Sequence, residues 1–310
     1  MPDPAIVGAA LTAYGLDGAS IELLQDFVNA SFRVAVGDQA YSLRVYAPDR
    51  RELPEVESEM RWLAAVAADS VIPCPRPLRL ADGHYAWEAP GVCFVTVASW
   101  VEGGLIPNAE RTPAHFGLVG AMLAKLHLFS ERWQAPVGFT RPRCDADGIF
   151  AGDRQELEAT LRCDLARAKQ ELRQAEDAIG RDAAAYGLVH GDLSFSNILF
   201  DGNRPALIDF DDCGFGHYAF DLAVVLAGAW GKPRYAVNRV ALLDGYQEIR
   251  RLSEVERAAL PALMAARAAS LIFWAAAQSP PEHNWISAQW ERLQEYLEGA
   301  APMPLNPHQE

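Results

Sequence analysis

Hydrophobic positions repeat on two different periods along this chain, and the change from one to the other falls near residue 100. Residues 4–14 predict a short opening helix. From residue 21 the pattern is short and extended: Ile21–Asp26, Ser31–Val36 and Ala40–Tyr46, with Gly37-Asp38-Gln39 turning the last two into a hairpin. Leu53 to Ala67 predicts a helix with Met60, Leu63, Val66 and Ala67 on one face, broken by Pro73 and Pro75. Extended runs follow at Leu78–Leu80, His84–Glu88 and Val92–Ala98. The sum is a small, mostly antiparallel sheet with one helix.

After Trp100-Val101-Glu102-Gly103-Gly104 the period becomes helical. Pro113–Trp133 predicts a long amphipathic helix carrying Leu118, Met122, Leu123, Leu126 and His127. Asp153–Ile179 is charged and helical with weak apolar periodicity, as expected of a surface or capping helix. Helices follow near 218–230, 235–251, 253–278 and 284–298, and the tail Pro302–Glu310 is expected to be loose. The expected fold is α+β with two lobes. Residues 1–98 form a β-rich N-terminal lobe, residues 99–310 a mostly helical C-terminal lobe, with a hinge at 99–103 and a cleft for a small ligand.

The chain has 310 residues, half of them hydrophobic, enough for a sizeable core. Its net charge of −14 argues against nucleic acid or an anionic membrane as partner, since both reward clustered Lys and Arg. The lysines are Lys125, Lys169 and Lys232, so residues 1–98 contain none. The five cysteines form no C-x-x-C pair, no apolar run near 18 residues stands out, and no signal peptide is evident; the chain reads as cytoplasmic with free thiols and no structural zinc.

Chemistry concentrates in residues 188–212. Asp192 is the candidate catalytic base, placed to accept or orient the proton of a substrate hydroxyl; a turn or helix-cap role is the alternative. Five residues on, Asn197 is a candidate ligand for magnesium, a hard cation that takes oxygen donors. Asp209, at the end of Ala206-Leu207-Ile208, is the other. The turn Asp201-Gly202-Asn203 would fold Ile198–Phe200 back on Ala206–Ile208. His190 reads as a loop anchor, with a general-base role as the alternative.

His190-Gly-Asp192-x4-Asn197 followed by Ile208-Asp209-Phe210-Asp211-Asp212 resembles the aminoglycoside phosphotransferase / choline kinase family, which shares the protein-kinase-like fold. Further matches are Gly120-x2-Leu123-Ala124-x-Leu126-His127, Trp100-Val101-Glu102-Gly103 and Asp221-Leu222-Ala223. The resemblance implies Asp192 as catalytic residue, Asn197 and Asp209 as metal ligands, and Asp221 as a buried brace for the catalytic loop. It implies ATP, or GTP, bound with Mg2+, and hinge contacts from the backbone of Ser99 and Val101. Where the family carries a phosphate-binding Lys on its third strand, this chain has Arg44, with Leu43 and Val45 on the opposite face. Arg can bond phosphate and carboxylate as a fork. Its expected partner is Glu59, with Glu55 second, since both share one helix face.

The loop Phe27-Val28-Asn29-Ala30-Ser31-Phe32-Arg33 has no glycine, and Asn29 or Ser31 are candidate phosphate donors, with an ordinary hairpin turn as the alternative. Asp211 and Asp212 are candidate substrate contacts for an amine, or one of them reinforces the metal site, or they are plain turn acids. Cys213 reads as a packed thiol, His217 and Tyr218 as the start of the next helix, and Trp274, Trp285 and Trp290 as core, with one of them lining the acceptor pocket as the alternative. The reading is therefore an ATP- and magnesium-dependent kinase acting on a small-molecule hydroxyl, an amino-alcohol or aminoglycoside-like acceptor. Two alternatives stand beside it: a protein Ser/Thr kinase of the stress response kinase A type, suggested by Ile208-Asp209-Phe210-Asp211-Asp212 and the glycines after it, and a nucleotide-binding pseudokinase, suggested by the missing Lys.

Overall fold

The computed structural model describes residues 2–26, 29–47, 51–70, 72–151, 156–278 and 282–299. Phe27 and Val28 of the expected phosphate loop, residues 153–155 and the tail 302–310 lie outside the described residues. The chain divides into two compact units, and each takes segments from distant parts of the sequence.

The first unit comprises Met1–Gly104, Gln134–Arg141 and Ala206–Asp211. Helix α1 (Pro4–Ala13) starts on an Asp3 cap, with Pro at the first turn where a missing N–H costs nothing. Strands β1 (Ser20–Asp26), β2 (Ala30–Val36) and β3 (Gln39–Tyr46) precede α2 (Leu53–Asp69), then β4 (Ala86–Ala89) and β5 (Cys93–Ser99). They form one antiparallel sheet in the order β1-β2-β3-β5-β4. Val7, Ala10 and Leu11 of α1 share a core with Phe32, Val34, Leu43, Val45, Val95 and Val97. The expected run at Leu78–Leu80 is not a strand. The preceding Pro77 makes an isolated bridge to Ala98 and the Leu78 N–H donates to the Val97 carbonyl at 2.8 Å, but prolines at 73, 75 and 77 lack the donors that would extend a ladder.

The second unit comprises Leu105–Trp133, Pro142–Pro205 and Asp212–Glu310. Its helices are α3 (Pro113–Arg132), the short α4 (Ala146–Ile149), α5 (Ala159–Ile179), α6 (Ala219–Ala229), α7 (Tyr235–Gln247), α8 (Glu254–Ala276) and α9 (His283–Leu297). Strand β6 (Tyr186–Val189) pairs antiparallel with β9 (Gly214–His217), Val189 opposite Gly214. Between them β7 (Ile198–Asp201) and β8 (Arg204–Leu207) form a hairpin, within which the chain passes from the second unit to the first. Helices α3 and α7 meet backbone to backbone: a Cβ on Gly120 would lie 2.0 Å from the Leu242 carbonyl oxygen.

Three expectations need correction. Helix α5 has a clear apolar stripe, Leu161, Leu165, Ala168 and Leu172, which packs on α8 and α9; its many charges lie between those positions and mask the period. Helix α8 is, by length and composition, apolar enough to cross a membrane, with 56% of that stretch buried. It packs against α5, α6 and α9 as a core helix, so its apolarity serves the interior of the unit. The three tryptophans are not core. Trp285 is 45% exposed, Trp274 is half-buried, and Trp290 donates through Nε1 to Asp164 at 2.7 Å. Cys213 is fully buried, as expected of a packed thiol. His217 ends β9, and Tyr218 is the first residue of the turn into α6.

Candidate active site

The loop after β6 places Asp192. Gly191 takes a left-handed φ of 81°, and a Cβ there would meet the Asp212 carbonyl oxygen at 2.3 Å, so both conformation and space require glycine. The loop is held from below by Asp221, in the first turn of α6 and fully buried. One Asp221 oxygen accepts the Gly191 N–H at 2.9 Å; the other accepts the His190 N–H at 2.9 Å and faces His127 Nε2 at 3.1 Å. Burial works against the charge on Asp221, yet the His127 hydrogen bond, with help from His190, keeps its carboxyl below the usual range. Burial lowers the pKa of His127 despite that bond.

The brace continues outward. His127 Nδ1 lies 2.9 Å from the Tyr246 hydroxyl, which accepts from Arg250 Nη1 at 2.9 Å, and Arg250 sits 3.7 Å from Glu256. Hydrogen bonds join this buried chain from Asp221 through His127 and Tyr246 to Arg250. Glu256 is reached as an ion pair alone, and among the described residues Arg250 Nε donates and Glu256 Oε1 accepts no hydrogen bond. His190 is itself buried and donates its backbone N–H to Asp221.

Both carboxylate oxygens of Asp192 are engaged. Asn197, in the turn before β7, donates Nδ2 to the Asp192 carbonyl at 2.8 Å and to Oδ2 at 3.0 Å. Arg267 of α8 donates Nη2 to Oδ1. Asn197 thus spends its amide nitrogen on the loop and keeps Oδ1, the kind of hard oxygen donor a divalent cation takes.

The first unit carries a second polar cluster. Asp209 follows β8 with φ at 62°, a left-handed conformation that costs a non-glycine residue of order 1–3 kcal/mol and is concentrated at functional sites. Arg44 Nη2 meets Asp209 Oδ1 at 2.7 Å. As alternation on β3 predicts, Arg44 lies across the strand from Leu43 and Val45, and opposite Ser31 and Thr96 in the ladders. Its expected partners are replaced: Arg44 pairs with Asp209, not Glu59 or Glu55. Glu59 is buried and instead accepts the Tyr46 hydroxyl at 3.1 Å and lies 3.7 Å from Arg141. Burial and the neighbouring Asp211 push Glu59 up to about 7, against the pull of Arg141 and Arg44. Glu55 caps its own helix, accepting the Glu52 N–H.

Asp211 is not a free acid. Its Oδ1 accepts Arg51 Nε at 3.1 Å, its Oδ2 accepts Asn29 Nδ2 at 3.0 Å, and its carbonyl accepts Arg51 and Arg141. Burial raises its carboxyl pKa, but Arg44, Arg51 and Arg141 together bring it below the usual range. The expectation of an amine-seeking Asp211 is therefore replaced by a brace that also engages Asn29. Asp212, in the second unit, is exposed, and its carbonyl accepts from Cys144 Sγ. The Ser99 N–H is taken by the Arg76 carbonyl at 2.9 Å, and Val101 lies half-buried just beyond β5.

A profile described as a phosphotransferase enzyme family matches residues 21–260. The chain belongs to this family. Among curated relatives, a homoserine kinase of Nitrobacter winogradskyi is 35% identical over 217 residues, covering 65% of this chain and 61% of the relative. A homoserine kinase of Acidiphilium cryptum is 31% identical over 250 residues, covering 76% and 72%. Among solved structures, a microcompartment-associated aminopropanol kinase matches with a TM-score of 0.79 at 28% identity, over 98% of this chain and 100% of that one. An amicoumacin kinase matches with a TM-score of 0.81 at 19% identity over 100% and 97%, a likeness of fold. The fold is protein-kinase-like and the phosphotransferase is a small-molecule kinase.

Sequence reasoning passed over Arg51, Arg141, Tyr246, Arg250 and Arg267. Arg267 alone left a trace, as the one charged residue between Pro261 and Gln278.

Proposed function

We propose that this phosphotransferase transfers the γ-phosphoryl group of ATP to the hydroxyl of a small acceptor that carries an amine, an amino-alcohol or a hydroxy amino acid of the homoserine kind. The observation that carries the reading is Asp192: a carboxylate on a loop held by Asp221 and Asn197, the kind of group this chemistry uses to orient a hydroxyl. The named activities of the homoserine and aminopropanol kinases support this acceptor class.

Asp192 receives the acceptor hydroxyl and takes its proton as the acceptor oxygen bonds to the γ-phosphorus. The bond from that phosphorus to the β,γ-bridging oxygen breaks, and ADP leaves. Arg44 is the phosphate-binding cation, with Asn29 and Ser31 beside it. Asn197 Oδ1 in the second unit and the Asp209 carboxylate in the first are each, by donor type, the kind of oxygen a divalent cation takes. Magnesium commonly takes its other ligands from phosphates and water. Bound there, magnesium would neutralise phosphate charge. Arg44 occupies Asp209 Oδ1 and would turn toward phosphate when nucleotide enters. With the Ser99 N–H already committed, an adenine contact at Ser99 uses its carbonyl.

The test is ADP release with ATP and Mg2+ across hydroxy amino acids, amino-alcohols, aminoglycosides and sugars. Turnover on the first two classes is expected. Labelled phosphate appearing on the protein alone would favour the protein-kinase alternative, and silence across the panel would overturn the reading.

A further inference from the structure

Asp192 presents a difficulty to its own substrate. A carboxylate oxygen has two acceptor sites, and on Asp192 the incoming hydroxyl must share Oδ2 with Asn197 or Oδ1 with the Arg267 cation. Asn197 is tied to the loop by a second bond to the Asp192 carbonyl, so the side chain that yields is Arg267.

Arg267 is unusual in its setting. It is the one charged residue between Pro261 and Gln278, and Met264, Ala265, Ala266, Ala268 and Ala269 around it are all buried. Its side chain is 14% exposed. A guanidinium carries five N–H donors. Among the described residues, that of Arg267 has one recorded partner, Asp192. A cation this enclosed costs free energy unless its donors are satisfied, and a planar fork with open donors matches a carboxylate in two-point contact.

We propose that Arg267 is the acceptor-recognition residue of this phosphotransferase, taking the carboxylate of a hydroxy acid. Resting on the kinase reading above, this narrows the acceptor to one that is anionic as well as hydroxylated. On binding, the acceptor carboxylate replaces Asp192 on Arg267, and Asp192 Oδ1 is released to the acceptor hydroxyl beside it. Recognition and activation of the base are one event, and an amino-alcohol lacking the carboxylate leaves the Arg267–Asp192 pair closed. A polycationic aminoglycoside would place positive charge against Arg267 and is disfavoured.

The experiment compares hydroxy acids with the amines left by removing their carboxylate: L-homoserine with 3-aminopropan-1-ol, L-threonine with 1-aminopropan-2-ol, L-serine with ethanolamine. kcat/KM is measured for each pair in wild type and in Arg267→Met and Arg267→Lys. Wild type should prefer the acid of its best pair, and Arg267→Met should reduce that preference by about 100-fold, near the upper end of what a hydrogen bond to a charged group contributes. Arg267→Lys, with charge but no fork, should fall between. Thermal unfolding and ATP affinity of each variant report whether fold and nucleotide site are intact. Wild-type preference for the amine, or a preference unchanged in a folded Arg267→Met, would overturn the inference while leaving the kinase reading standing. Equal losses on acid and amine would also overturn it and move Arg267 to the transferring phosphoryl group. Absence of turnover on every hydroxylated amine would overturn the kinase reading itself.

Discussion

Replacing Asp221 by Asn tests whether the catalytic loop is held as described. The carboxylate accepts the His190 and Gly191 N–H groups at 2.9 Å each and faces His127 Nε2 at 3.1 Å, all without solvent. An asparagine keeps the shape but has one acceptor oxygen. Its best orientation turns that oxygen to His190 and His127 and sets its NH2 against the Gly191 N–H. One buried donor then lacks a partner, at about 1–3 kcal/mol, and the surviving bonds lose their charge assistance, about 1 kcal/mol each. The sum is roughly 3–5 kcal/mol, and at about 2–4 °C per kcal/mol for a unit of this size the melting temperature should fall by about 10 °C. Because Gly191 adjoins Asp192, kcat should also fall at temperatures where the variant is fully folded. Calorimetric or circular-dichroism melting, paired with steady-state kinetics well below the transition, measures both. A melting temperature within 2 °C of wild type with unchanged kcat would refute the brace.

Other perturbations separate the remaining contacts. Gly191→Ala meets a positive φ and a backbone oxygen at once, so kcat should drop at least about tenfold; normal turnover would count against the loop geometry. Arg44→Met should weaken ATP binding by about tenfold or more, read by calorimetry, as expected for loss of a charge-assisted bond; unchanged affinity would remove Arg44 from the phosphate site. Glu59, raised to about 7 from its ordinary 4.5, destabilises the fold when ionised. That cost is complete above pH 7 and is relieved as pH falls from 7 toward 4.5, about 3 kcal/mol in all. Wild type should therefore lose stability relative to Glu59→Gln as pH rises from 5 to 8; parallel curves across that range would contradict the assignment.

Local pattern foretold local structure. The hairpins at Gly37 and Gly202 and the facing of Arg44 follow from alternation and turn chemistry over a few residues. What it missed is long-range or crowded. Arg51 and Arg141 reach Asp211 from 160 and 70 residues away, and no short-range spacing signals such a pairing. That is why Asp211 read as an open acid. The family pattern supplied Glu59 as the partner of Arg44, while the strand places Tyr46 and the fold places Arg141 on Glu59 first. The α5 stripe was hidden by charges between its leucines, although Leu161, Leu165, Ala168 and Leu172 keep the helical spacing. Arg267 was visible as a lone cation in an apolar helix, a signal that such a residue has a partner worth finding.

The central claim is that Asp192 orients and deprotonates the acceptor hydroxyl. Asp192→Asn preserves the side-chain shape and removes the charge, so ADP release with the best acceptor should fall by at least about a thousandfold, within what a positioned base and the orientation it provides contribute. Calorimetric affinity for ATP with Mg2+ should stay within a few-fold of wild type. Near-normal turnover in that variant, with nucleotide bound as tightly as before, would contradict the account.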